Sequence, residues 1–427
     1  MGVVEMICKI NKLDLVMALS SIVDLVDRSV SNHHKRVSYI AFQIANEMNR
    51  TIKEQQNIIL AGALHDIGAL SLEGRLDTFR FEKSNDSLHA EIGYLFLKQF
   101  YPFREIAKII RYHHTFYSEI VNDSMLREEV PLTSEILQLA DRIDILIDHQ
   151  EKNILGQVTT ILDKVKENIG TMFHSEVVEA FFRLAEKEYF WFDIENPFID
   201  RILLNQLRTS EVNLSLEGLL ELAKLFSQII DFRSRFTSTH SSGVAATAEV
   251  LAKLTGWSKE QCQKMRIAGY LHDLGKLAVP TELLEKPGKL TEEEYNLVKS
   301  HVYYTKRVLE HIMEIEEIIF WASSHHERLD GKGYPFHYAI DELNRGTRIM
   351  AVADIFTAIT EDRPYREGMG KEKALGVLNS MALKAMIDSD IVQLLQSNYD
   401  EVNQARINAQ TQAVVEYEEF MNQIRAS

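Results

Sequence analysis

The histidines of this 427-residue chain fall at intervals that suit metal binding. The interval from His33 to His65 equals the interval from His240 to His272. Imidazole and carboxylate side chains, without thiolates, bind ions such as iron, manganese, cobalt, nickel or zinc. Paired ions of this kind catalyse the hydrolysis of phosphate esters. The spacing therefore indicates metal-dependent chemistry that occurs twice along the chain.

These histidines belong to an internal repeat. Each second histidine is followed by aspartate, in AGALHDIGAL and in AGYLHDLGKL. Further along each copy, a single histidine precedes a histidine pair by the same interval in both copies, and an aspartate follows the pair at nearly equal distances. Ten of the fifteen histidines match in this way, and we expect the other five to be structural or surface residues: His34, His149, His174, His311 and His337.

Each copy thus offers seven candidate metal ligands, which suit two ions better than one. In the second copy they are His240, His272, Asp273, His301, His325, His326 and Asp354. In the first copy they are His33, His65, Asp66, His89, His113, His114 and Asp141. Adjacent residues on a helix point about 100° apart, so a histidine and the following aspartate can both face one centre. An aspartate can also bridge two ions through its two oxygens.

Helical periodicity dominates the elements that must position these residues. In VSYIAFQIANEM and LLELAKLFSQII the apolar residues recur at helical spacing, and we find no convincing alternating strands. The sequence predicts an all-α fold of two tandem domains, residues 1–208 and 209–427. The boundary should fall near 200–215, with the polar segment TSEVNLS as the linker.

Composition excludes several classes of function. The net charge of −16 argues against binding of a nucleic-acid polymer, which requires clustered positive charge. The two cysteines form no disulfide framework and no metal-binding motif, as is typical of a reducing compartment. We find neither a signal peptide nor an apolar run long enough to span a bilayer. We therefore expect a cytoplasmic protein without a membrane partner.

Residues 240–366 resemble the HD-GYP family, a branch of the HD phosphohydrolase superfamily. The segments HDLGKLAVPTELLEKPGKLT, SSHHERLDGKGYP and RIMAVADIFTAITEDRPYR carry the resemblance. It implies helical-bundle domains of the HD type, iron or manganese as the favoured metals, and hydrolysis of cyclic dinucleotides, chiefly cyclic di-GMP. Nickel, cobalt and zinc are the alternative metals. The first copy resembles an HD domain, so we predict two tandem HD-type bundles.

The resemblance also implies individual roles. Asp273 would bridge the two ions and act as a catalytic residue together with Lys276, which would bind the scissile phosphate or assist the leaving oxygen. Arg363 and Arg366, in RPYR, would bind substrate phosphate, for which the planar guanidinium is suited. The implied metal ligands divide into His240, His272 and Asp354 for one ion, and His301, His325 and His326 for the other.

Three positions depart from the family pattern. Phe236 stands where some members have a glutamate that binds a third metal, so we expect a two-metal site and a linear product. Gly243 occupies an arginine position, and Thr305 stands where a glycine is usual. We expect the last two to alter the pocket rather than the metal ligands.

The first copy keeps its seven candidate ligands but lacks the phosphate-binding residues. Ala69 replaces the lysine, Gln150 stands in the position of Arg363, and there is no GYP loop. Two interpretations follow. The first copy is a metal-bound regulatory or dimerisation domain, which we favour, or a second phosphohydrolase that acts on another substrate, such as the linear product.

For the whole chain the sequence predicts a metal-dependent phosphodiesterase. Cyclic di-GMP is the favoured substrate and 3′,3′-cyclic GMP-AMP (cGAMP) the next. The product would be a linear 5′-phosphorylated dinucleotide, with mononucleotides after a second cleavage. The alternatives are an HD-superfamily nucleotidase and a metal-bound signalling module without hydrolysis. A homodimer or a signalling-protein partner is compatible with the sequence.

Overall fold

The computed structural model describes residues 7–11, 14–16, 20, 32–69, 88–206, 211–233, 239–286, 288–312, 315–362 and 367–426. The described residues are mostly helical, and two short strands, β1 (Ile7–Asn11) and β2 (Glu211–Ser215), pair with each other. The all-α prediction is therefore confirmed. No helix in these ranges is long and apolar enough to cross a membrane.

The chain divides into two compact units, one formed by Asn11–Val212 and the other by Met1–Ile10 with Asn213–Ala426. The predicted boundary between residues 208 and 209 lies outside the described residues. Helices of the first copy are α1 (His33–Glu47), α2 (Ile52–Leu64), α3 (Leu88–Leu97), α4 (Arg104–Arg111), α5 (Tyr117–Asn122), α6 (Ser124–Glu129), α7 (Leu132–Leu146), α8 (Val158–Glu167), α9 (Ser175–Ala185), α10 (Glu188–Ile194) and α11 (Ile199–Gln206).

Helices of the second copy are α12 (Leu216–Arg233), α13 (His240–Leu254), α14 (Lys259–Leu271), α15 (Thr281–Leu284), α16 (Glu292–Ile312), α17 (Glu316–Ala322), α18 (Arg345–Thr360), α19 (Lys371–Leu383), α20 (Ser389–Ser397) and α21 (Tyr399–Ala426). Short 3₁₀ segments are Tyr101–Phe103, Ile154–Gln157 and Leu274–Ala278.

The helices that precede the two HD pairs, α2 and α14, both start with a capping box. Thr51 caps α2 in a capping box with Glu54, and Ser258 caps α14 in a capping box with Gln261. Each box satisfies backbone donors that a helix start leaves unpaired. These two helices end directly before His65 and His272, so the boxes set the beginning of the elements that present the HD pairs.

Close helix crossings bring the HD pairs to the centre of each bundle. A Cβ atom at Gly62 would lie 2.8 Å from Ser38 Cα, and one at Gly269 would lie 2.5 Å from Ala245 Cα. Glycine is therefore needed where α2 crosses α1 and where α14 crosses α13. Because both glycines lie three positions before the histidine, each crossing fixes the depth at which that histidine enters the core.

Candidate metal centres

The second copy draws its seven candidate ligands from five elements. His240 is the first residue of α13, His272 and Asp273 follow α14, and His301 lies in α16. The pair His325-His326 follows α17, and Asp354 lies in α18. All seven are buried except His326, which is partly exposed. The fold therefore brings the predicted ligands together from across the bundle.

Asp273 lies between two groups of histidines. Its Oδ2 is 3.1 Å from His272 Nε2 and 4.0 Å from His240 Nε2, whereas its Oδ1 is 3.4 Å from His301 Nε2 and 4.0 Å from His325 Nε2. Asp354 Oδ1 lies 3.2 Å from His240 Nε2. One oxygen of Asp273 thus faces each group, which is the arrangement that a bridge between two ions requires.

Hydrogen bonds leave the Nε2 atoms for metal binding. The Nδ1 atoms of His272, His301 and His325 lie 2.6–2.8 Å from the carbonyl oxygens of the residues three positions earlier. Nδ1 is therefore the protonated donor, and Nε2 presents a lone pair. His272 Nε2 is buried and has no hydrogen-bond partner among the described atoms. A divalent ion would satisfy this atom, so the residues present fit a metal.

The electrostatics of the centre also suit ligation. Burial lowers the pKa of His301 to about 3 and that of His325 well below its usual range, so both rings are neutral. Burial alone would raise the pKa of Asp273, but His272 and Lys276 hold it well below the ordinary value. The site therefore offers neutral imidazoles and an ionised carboxylate, the protonation states that bind metal.

Lys276 lies beside the carboxylate of Asp273. Its Nζ atom is 2.6 Å from Asp273 Oδ2, and it belongs to the 3₁₀ segment that follows the HD pair. Thr305 supports this segment, because its hydroxyl accepts from Gly275 N at 2.9 Å and donates to His272 O at 3.0 Å. Thr305, which departs from the family pattern, therefore connects α16 with His272 and with the 3₁₀ segment that follows it.

The GYP loop, named here the GYP segment, contains Gly333, Tyr334 and Pro335. It lies against the second group of histidines, which consists of His301, His325 and His326. The rings of Tyr334 and His326 are 4.9 Å apart. Glu327 Oε1 accepts from Phe336 N at 2.8 Å and from His337 N at 3.1 Å, so this buried carboxylate holds the segment. Sequence reasoning missed the role of Glu327, although its place directly after the histidine pair was a signal.

Three residues singled out from the sequence lie outside the described residues: Phe236, Arg363 and Arg366. The roles of the two arginines and the effect of Phe236 on metal number therefore stay predictions.

The first copy repeats the arrangement around Asp66. Its Oδ2 is 3.3 Å from His65 Nε2 and 4.0 Å from His33 Nε2, and its Oδ1 is 3.5 Å from His89 Nε2. Asp141 Oδ1 lies 3.3 Å from His33 Nε2. The other predicted members, His113 and His114, form a second group with His89. His65 Nε2, Asp66 Oδ1 and His113 Nε2 are buried and have no hydrogen-bond partner among the described atoms, so this centre also fits a metal.

Two side chains distinguish the first centre from the second. His34, predicted to be a structural or surface residue, is buried with Nε2 3.8 Å from Asp66 Oδ2, beside the predicted ligands. Buried Arg142 places Nη2 2.6 Å from Asp141 Oδ2, where the second copy has Ile355. The spacing pattern did not reveal either contact, because neither residue has a matching type in the other copy.

Other histidines outside the matched set have local partners. His174 Nδ1 accepts from Glu176 N at 3.1 Å at the start of α9, which is the contact of a structural residue. His149 Nδ1 lies 2.6 Å from Glu195 Oε1, and its Nε2 lies 3.4 Å from Asp144 Oδ1, the carboxylate that contacts His33.

Comparison with known proteins identifies the class. HD-domain models match residues 30–146 and residues 224–391. The chain therefore carries two HD domains.

Several relatives of this chain are phosphodiesterases of cyclic dinucleotides. The 3′3′-cGAMP-specific phosphodiesterase 1 of Vibrio cholerae is 29% identical over 93% of this chain and 94% of its own length. Phosphodiesterase 3 of the same specificity and species is 34% identical over 59% of this chain and 54% of its own length. A cyclic di-GMP phosphodiesterase of Pseudomonas aeruginosa is 38% identical over 33% of this chain and 34% of its own length.

A solved structure has a similar fold. The cyclic GMP-AMP-specific phosphodiesterase V-cGAP3 of V. cholerae superposes with a TM-score of 0.63 at 22% identity, over 92% of this chain and 98% of its own. The chain is homologous to the HD-GYP phosphodiesterases of cyclic di-GMP and cGAMP.

Proposed function

We propose that this protein is a metal-dependent phosphodiesterase that opens a cyclic dinucleotide at its second-copy centre. The observation that carries the proposal is Asp273, whose two oxygens face two groups of histidines while Lys276 Nζ lies 2.6 Å away. Two bound ions supply Lewis-acid polarisation of the phosphate and lower the pKa of a water molecule. The product is a linear 5′-phosphorylated dinucleotide.

The chain's own residues orient and neutralise the substrate. Asp273 would bind both ions through its two oxygens, and the Lys276 ammonium lies where it can bind the scissile phosphate as negative charge develops. Arg363 and Arg366 bind phosphate oxygens in this proposal. Because Asp273 is buried and the Lys276 side chain beside it is only 18% exposed, their charges are less screened than they would be in water.

The substrate we place first is 3′,3′-cGAMP, with cyclic di-GMP second. Sequence reasoning alone favoured the reverse order. The change rests on the relative specific for 3′3′-cGAMP, which matches 93% of this chain, whereas the P. aeruginosa cyclic di-GMP enzyme matches 33%. The metals we propose are iron or manganese, because the donors are imidazole and carboxylate; nickel, cobalt and zinc can bind the same atoms.

For the first copy we propose a metal-bound regulatory role. Ala69 stands in the position of Lys276 and Gln150 in that of Arg363, so the cations for phosphate are missing there. The alternative of a second phosphohydrolase predicts a later step that depends on Asp66. Cytoplasmic location and a homodimer or signalling partner remain predictions from the sequence.

Metal reconstitution followed by product analysis tests the proposal. The purified protein is stripped of metal, reloaded with Mn²⁺ or Fe²⁺, and incubated with each cyclic dinucleotide while products are separated by chromatography. We expect a linear dinucleotide from at least one substrate. A parallel incubation with nucleoside mono- and triphosphates covers the nucleotidase alternative, which cleavage of these alone would favour. Metal binding without any hydrolysis would favour the signalling module.

A further inference from the structure

The first ligand histidine of each copy lies at the start of a helix. His240 is the first residue of α13. His272, His301 and His325 each bind Nδ1 to the carbonyl three positions earlier. In His240 the described acceptor of Nδ1 is a side-chain carboxylate, which leaves Nε2 to face the metal.

Glu361 supplies this acceptor. Its Oε2 lies 3.1 Å from His240 Nδ1, and both side chains are buried. Glu361 follows α18, the helix that carries Asp354, and Asp354 Oδ1 lies 3.2 Å from His240 Nε2. A carboxylate on one imidazole nitrogen fixes the tautomer and increases the basicity of the other nitrogen.

The first copy contains a matching contact with a different support. Asp144 Oδ2 lies 2.7 Å from His33 Nδ1, and Arg36 binds the same carboxylate with Nε 2.6 Å from Oδ1. The second copy has Gly243 in the position of Arg36. The acidic acceptor is thus present in both copies, whereas the arginine is present only in the first.

Gln410 of α21 takes the place of that arginine. Its Nε2 donates to Glu361 Oε2 at 3.2 Å, and Arg406 Nη1 donates to Gln410 Oε1 at 2.5 Å. A Cβ atom at position 243 would lie 2.9 Å from Gln410 Nε2, so the glycine leaves the space that Gln410 occupies. Because position 243 is a glycine, which departs from the family pattern, α21 can bring Gln410 into contact with Glu361.

We propose that Glu361 is a positioning residue that orients His240 Nε2 toward the second-copy metal. In this proposal Gln410, which occupies the space beside Gly243, holds Glu361 by a hydrogen bond. The inference rests on the proposed function of this centre and adds two residues to its machinery. It acts through His240, so its first effect is on metal affinity.

The experiment measures Mn²⁺ affinity directly in full-length, metal-stripped protein by the electron paramagnetic resonance of free Mn²⁺. Every sample carries Asp66→Ala, which removes the central candidate carboxylate of the first copy and so reduces the binding of Mn²⁺ there. We expect Glu361→Ala to weaken the second-copy affinity roughly 10- to 100-fold. Glu361→Gln keeps an oxygen acceptor and should lose less, and Gln410→Ala should shift affinity in the same direction by a smaller amount.

Glu416→Gln is the matched control. Glu416 lies on α21 like Gln410, but its carboxylate pairs with Lys224 at 2.7 Å, and this variant should bind Mn²⁺ like its parent. An affinity within about twofold of the Asp66→Ala parent in both Glu361 variants would overturn the inference. If circular dichroism shows that Glu361→Ala is unfolded, Glu361→Gln decides alone. Failure of the parent protein to hydrolyse either dinucleotide would refute the proposed function but leave this comparison of affinities intact.

Discussion

At the residue scale, Lys276 Nζ lies 2.6 Å from Asp273 Oδ2, and we propose that this lysine also binds the scissile phosphate. We predict that Lys276→Met lowers kcat for ring opening by about 10²- to 10³-fold, because a preorganised cation for the developing charge is lost. Metal content should be nearly unchanged, since Lys276 is not a ligand. Steady-state kinetics and metal analysis on the same sample check this, and unchanged kcat would remove Lys276 from the chemistry.

Glu135 provides a test of pH dependence that is separate from the ligands. Burial raises its pKa from 4.5 to about 7, and its Oε2 atom has no hydrogen-bond partner among the described atoms. A raised carboxyl pKa means that the folded state holds the proton more tightly, so stability falls as pH rises from about 4.5 to 7.

We therefore predict that Glu135→Gln stabilises the protein at pH 8 by roughly 1–3 kcal/mol and has little effect near pH 4.5. Chemical denaturation of both metal-stripped proteins at the two pH values measures the difference. An equal effect at both pH values would show that ionisation of Glu135 is not its cause.

The seven candidate ligands of each copy could be selected from the sequence because their types and intervals recur. Supporting residues could not be predicted in the same way. Asp144 lies one helical turn after Asp141, whereas Glu361 lies two turns after Asp354, so the two acceptors do not align in the repeat. Gln410 comes from a helix remote in sequence, and only the packing around Gly243 reveals its contact.

At the scale of elements, Glu327 joins the histidine pair to the GYP segment. We predict that Glu327→Ala raises KM for the cyclic dinucleotide, because Phe336 N and His337 N lose their acceptor and the segment is no longer held. The change should be on the order of tenfold, corresponding to one or two lost hydrogen bonds to a charged group. Steady-state kinetics measures it, and an unchanged KM would mean that the segment does not contact substrate.

The crossing of α14 on α13 offers a test of stability with an internal control. Gly269→Ala places a Cβ 2.5 Å from Ala245 Cα, and we expect a loss of about 1–3 kcal/mol from this overpacking. At Gly376, within α19, an added Cβ would meet nothing within 4 Å. Gly376→Ala should stabilise by about 0.5–1 kcal/mol, because alanine favours helix.

Thermal unfolding of the two variants beside wild type measures both effects. A Gly269→Ala protein as stable as wild type would show that the helices can separate at the crossing without cost. Opposite signs at Gly269 and Gly376 would show that the close approach, rather than helix propensity, sets the requirement for glycine.

At the scale of the whole molecule, duplication explains most of what could be predicted. Matching intervals predicted two helical units with equivalent centres, and both HD domains and the all-α fold are confirmed. The sequence also showed which copy lacks Lys276 and the GYP loop. It could not show that Arg142 and His34 lie at the first centre, because these contacts have no counterpart from which to infer them.

The most direct measurement compares Asp273, the predicted bridging residue of the second centre, with Asp66, the matching aspartate of the first. Asp273→Ala and Asp66→Ala are assayed beside wild type for ring opening of 3′,3′-cGAMP and cyclic di-GMP, with product separation by chromatography. We predict that Asp273→Ala abolishes formation of the linear dinucleotide, whereas Asp66→Ala retains it. Ring opening at the wild-type rate by Asp273→Ala would contradict the assignment of catalysis to the second-copy centre.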